Sequence, residues 1–70
     1  LKMSNVIKFK LDKYSVYSFV LKDGKVCTGV FIDSSGKYLK IIVDDEIKFL
    51  KTSDIYFFSF VYKSNECDYL

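Results

Sequence analysis

Apolar and polar residues alternate along most of this chain, and a period of two marks strands with one buried face. Residues 5–11 set Ile7, Phe9 and Leu11 against Lys8 and Lys10, which predicts a strand, with a short helix opened by Ser4 as the competing reading. Residues 14–22, rich in Val, Tyr and Phe, predict the next strand. Asp23-Gly24 supplies a two-residue hairpin turn in which both central residues take positive φ. The chain returns as a strand over 25–33, turns at 34–37, and runs as a strand over 38–44 with Leu39, Ile41 and Val43 on one face. An acidic turn at 44–46 leads to a brief strand over 47–51 carrying Ile47 and Phe49 on one face. Thr52-Ser53-Asp54 interrupts it, and residues 55–63, "IYFFSFVYK", form the last strand.

Short strands joined by tight turns, with little helical pattern, predict an all-β fold: a small, five- to six-stranded, strongly bent antiparallel barrel. Residues 1–13 read as an N-terminal segment, 14–63 as the barrel and 64–70 as a polar tail. Two features break the regular alternation. Gly29 sits inside a strand, either as the bend that a small barrel needs or as a glycine tolerated beside a bulky neighbour such as Phe19. Between Ile55 and Tyr62 only Ser59 is polar, so both faces of that strand are apolar. Such a strand either runs through the centre of the barrel or is covered by another subunit.

Seventy residues make one domain with a small core, so a lone copy is marginally stable unless something supports it. The chain has no His, and Cys27 and Cys67 lie forty positions apart, which argues against a metal site and favours free thiols over a disulfide. Self-association is left as the support. Ala, Arg, Gln, His, Pro and Trp are absent while Lys, Ile, Tyr and Phe abound, a bias that suggests an AT-rich genome such as that of a microbe, virus or plasmid. Net charge is +2, all eleven positive charges being lysines, which is compatible with a polyanionic partner without forming a basic stripe. No apolar run reaches membrane-span length and the first residues lack a signal-peptide core, so the expectation is a cytoplasmic protein without membrane contact.

The stretch Phe19-Val20-Leu21-Lys22-Asp23-Gly24-Lys25-Val26-Cys27-Thr28-Gly29-Val30-Phe31 resembles the first motif of the Sm-like superfamily, the Sm/Lsm and Hfq proteins. That motif has an apolar-x-Leu-x-(Asp/Asn)-Gly run, a glycine five residues on, and an alternating strand. Phe49-Leu50-Lys51-Thr52-Ser53-Asp54-Ile55-Tyr56-Phe57-Phe58 is similar in layout to the second motif, with Lys51-Thr52 where the family has Arg-Gly. Ser35 and Leu39 stand at the positions of the family's loop Asp and Asn. The resemblance implies a ring of subunits, each pairing its last strand with the fourth strand of a neighbour, and single-stranded RNA held in loops that line the pore. It carries no uridine preference to this chain, because the residues that hold uracil are replaced.

On that basis the expected RNA-binding residues are Lys37 and Tyr38 in one loop and Lys51 and Thr52 in the other, lysines meeting phosphate and the tyrosine stacking on a base. Lys8, Lys10 and Lys13 form a second, weaker positive group. The expected subunit interface is Phe49, Ile55, Tyr56, Phe57, Phe58 and Phe60. No nucleophile motif is present, so no catalysis and no cofactor is expected. Asp44-Asp45-Glu46 reads as a solvated turn rather than a cation site, and Cys27 as a small core residue. Two functions follow: an Sm-like ring binding single-stranded RNA, or an SH3-like module that binds or inhibits a protein partner.

Overall fold

In the computed structural model, which describes residues 10–63, the alternation becomes five strands. They are β1 (Ser15–Leu21), β2 (Val26–Ser34), β3 (Tyr38–Val43), β4 (Glu46–Lys51) and β5 (Ile55–Lys63). A 3-10 turn at Thr52–Asp54 joins β4 to β5 and is the one helical element among the described residues. No helix there is long and apolar enough to cross a membrane. Each strand expected between residues 14 and 63 is present within a residue or two of its expected bounds. The strand expected over 5–11 lies outside the described residues apart from Lys10 and Leu11, which are not in a strand, although Leu11 rests on the core. The tail at 64–70 also lies outside them.

All neighbouring strands are antiparallel, in the order β4-β3-β2-β1-β5. One face carries the core: Tyr17 and Phe19 of β1, Phe31 of β2, Leu39 and Ile41 of β3, and Ile55 of β5. Phe19, Leu39 and Ile41 are fully buried (0% exposed) although no second layer covers them among the described residues. The Tyr17 ring closes the core end, 6.4 Å edge-on from Phe31, and its hydroxyl accepts the Asp12 N–H at 2.8 Å. That bond satisfies the polar tip of an otherwise apolar residue.

Gly29 lies opposite Tyr17 in the β1–β2 ladder. A Cβ there would stand 2.5 Å from the Ile42 carbonyl oxygen and 2.8 Å from Val43 Cγ2. The glycine therefore lets the backbone of β3 fold closely over β2. Its bulky neighbour is this backbone rather than Phe19, whose opposite number in β2 is Cys27.

The expected barrel is not closed within the chain. β4 and β5 form the two edges of the sheet, with no ladder between them. The three residues of the 3-10 turn carry the chain from the end of β4 to the outer edge of β1, where Ile55 pairs with Leu21 and Lys22 N donates to Asp54 O at 2.9 Å. β5 is thus an edge strand, not a central one.

The turn type expected at Asp23-Gly24 is found at the acidic turn instead. At Asp23-Gly24 only Gly24 has positive φ (94°). Gly24 N donates to Leu21 O and Leu21 N to Lys25 O, both at 2.8 Å, giving a three-residue loop with glycine in the left-handed position. Asp23 Oδ1 accepts from Lys25 N at 3.0 Å and fixes the loop's exit. The tight turn with two positive φ values is instead Asp44-Asp45, at 53° and 67°, flanked by the Val43–Glu46 pair.

Candidate nucleic-acid interface

The β2–β3 loop and the β4–β5 turn are far apart in sequence, yet backbone bonds bring them together. Thr52 N donates to Lys37 O at 2.8 Å, and Thr52 Oγ1 lies 3.2 Å from both Gly36 O and Lys37 O. Tyr38 is the ladder partner of Lys51, the last rung of β3–β4. Lys37, Tyr38, Lys51 and Thr52 therefore form one cluster at one end of the sheet. Lys37, Tyr38 and Lys51 are exposed, while Thr52 is half-buried and serves as the tie between the loops.

Strand pleating decides which way these side chains point. Leu39 and Ile41 are buried, so Tyr38 and Lys40 project from the opposite, outer face. Phe49 lies opposite Lys40 on β4, and Asp33 lies opposite Lys40 on β2, so Asp33, Lys40 and Phe49 form one row across three strands. Tyr38 and Lys51 form the next row on the same face. Regular alternation from buried Phe31 would send Asp33 toward the core. A bulge between Phe31 and Asp33 inserts Ile32 and turns the carboxylate outward. A surface cleft of about 210 Å³ results, lined by Asp33, Ser34, Ser35, Tyr38, Lys40 and Phe49.

Lys40 and Asp33 were not among the expected RNA-binding residues, and Phe49 was expected only at an interface. The sequence signal for the re-aimed Asp33 is the adjacent apolar pair Phe31-Ile32, where strict alternation fails. Of the weaker positive group, Lys8 lies outside the described residues and Lys10 is exposed. Lys13 pairs with Asp33 at 3.9 Å, both side chains more than half exposed. At that exposure the pair contributes little.

The expected interface residues divide by depth. Ile55 is part of the core, and Phe58 packs on it, its ring 6.0 Å from Tyr17 and 6.2 Å from Phe19. Phe49, Tyr56, Phe57 and Phe60 are exposed, with Tyr56 at 71%. Tyr56 and Phe57 hold each other edge-on at 5.5 Å. Cys27 is half-buried against the core, and Cys67 lies outside the described residues. Asp44, Asp45 and Glu46 are exposed at their turn, and among the described residues no three His, Cys, Asp or Glu side chains are grouped to hold a metal ion. Comparison of the chain with protein-family models, with curated proteins and with solved structures finds no match in any of the three.

Proposed function

We propose that this chain is a non-enzymatic, Sm-like subunit that associates head to tail into a homo-oligomeric ring and binds single-stranded RNA. The observation that supports this most is an open sheet whose two unlike edges both carry large exposed apolar residues. β4 presents Ile47 and Phe49; β5 presents Tyr56, Phe57, Phe60, Val61 and Tyr62. Exposed edges with apolar side chains invite strand pairing, and pairing of β4 with the β5 of another copy would bury both. Contact between two different surfaces is heterologous, and such contacts close into rings when the rotation permits. RNA binding is supported by the cluster of Lys37, Tyr38, Lys51 and Thr52, which combines cations with an exposed aromatic ring.

Light scattering tests the assembly, with a defined multimer expected; a stable monomer at micromolar concentration overturns the ring. Binding of short oligouridylate and oligoadenylate at low salt tests the RNA reading. Absence of binding moves the function to the second reading, a protein-interaction module. The same unpaired aromatic β5 edge favours that reading, because an extended peptide can add to it as a strand.

A further inference from the structure

We infer that the outer cleft beside the RNA-binding cluster holds a single nucleobase and selects guanine. The inference rests on the single-stranded RNA reading and names the base that reading leaves open.

The cleft's size sets its class of ligand. At about 210 Å³ it is smaller than the roughly 300–1,000 Å³ of pockets that enclose drug-sized molecules, so it suits one planar ring system. Tyr38 and Phe49, both largely exposed, offer aromatic faces on which a base can stack. Stacking alone tolerates any base.

Selection comes from the polar pair beside the rings. Asp33 and Lys40 are directly opposed across β2 and β3, a carboxylate and an ammonium facing the same cleft. Asp33 Oδ1 accepts the Ser34 N–H at 2.9 Å and lies 3.9 Å from Lys13 Nζ, which orients the carboxylate; with two lone pairs on each oxygen, Oδ2 and Oδ1 can still accept a pair of incoming donors. An ionised carboxylate only accepts hydrogen bonds. Guanine alone among the four bases presents two adjacent donors, N1–H and N2–H, on one edge, and its O6 and N7 acceptors lie beside them for an ammonium. Uracil turns a single donor flanked by two carbonyls toward the carboxylate, which repel it. Adenine and cytosine each present one amino donor beside a ring acceptor. The bulge at Ile32 matters here, since without it Asp33 would face the core and the cleft would have no acceptor of this kind.

The test measures fluorescence polarisation with the full chain at low salt, using a labelled short oligoadenylate and the same strand carrying one central guanosine. The guanosine strand is expected to bind about tenfold tighter. Asp33→Asn, an exposed near-isosteric change that circular dichroism checks for folding, is expected to bring the ratio close to one. Lys40→Gln should reduce it as well. Equal affinity for the two strands overturns the inference while the RNA reading stands, as does a guanosine preference that survives Asp33→Asn. If neither strand nor oligouridylate binds, the RNA reading falls and the guanine pocket falls with it.

Discussion

A methyl group at Gly29 would meet the Ile42 carbonyl oxygen at 2.5 Å and Val43 Cγ2 at 2.8 Å. The first of these is backbone, which cannot swing aside like the end of a side chain. Gly29→Ala should therefore force β3 away from β2 and destabilise the fold by about 1–3 kcal/mol. A urea midpoint lowered at constant slope would register it; an unchanged midpoint would mean that β3 yields without cost. The residues at the β3–β4 turn predict the opposite sign. Asp44 and Asp45 both sit at positive φ, where most side chains are strained, and stand next to Glu46. Asn-Gly is the preferred pair for such a turn. Asp44→Asn with Asp45→Gly should raise stability by about 0.5–1 kcal/mol, seen as a higher thermal midpoint.

At the scale of elements, strand positions were legible because alternation is a local property that each segment states for itself. Residues 55–63, expected as the last strand, are β5 to the residue. What alternation does not state is order across the sheet. Both faces of β5 being apolar fits a central strand as well as a covered edge, and only the pairing of β5 with β1 alone makes it an edge. The cluster of Lys37, Tyr38, Lys51 and Thr52 was legible residue by residue, whereas its tie, the bonds from Thr52 to Gly36 and Lys37, is a long-range contact with no sequence period. The outward turn of Asp33 was hidden for a related reason: one inserted residue reverses every side chain after it. The exposed pair on β5 carries the element-scale prediction. Tyr56→Lys with Phe57→Lys places charges on the edge without removing a core contact from Ile55 or Phe58. The double variant should remain folded by circular dichroism and run as a monomer in light scattering. A multimer of unchanged mass would exclude β5 from the interface.

For the whole molecule, small size and surface composition act together. Among the described residues more large apolar side chains are exposed than buried, an arrangement that suits a subunit better than an isolated domain. Net charge of +2 gives only a weak general attraction to polyanions, so under the proposed RNA reading affinity should depend on the few lysines that reach phosphate. Each phosphate contact on a single strand contributes about −0.7 to the slope of log affinity against log salt. Lys51→Ala should make that slope shallower by about this amount and weaken all sequences alike. A slope that does not change would remove Lys51 from the contact surface.

The two sheet edges are not copies of each other: β4 is a six-residue strand with one lysine between its apolar residues and another at its end, and β5 a nine-residue strand dominated by aromatics. A chain blocked on β5 alone still offers a complete β4. Mixed with unmodified protein, such a chain can take one place in an assembly and then present nothing for the next copy to join. It would act as a terminator, so under the ring reading a minor fraction of blocked chains should leave rings unclosed and deplete the defined multimer. Blocking both edges at once should abolish this interference, because the chain could then no longer enter.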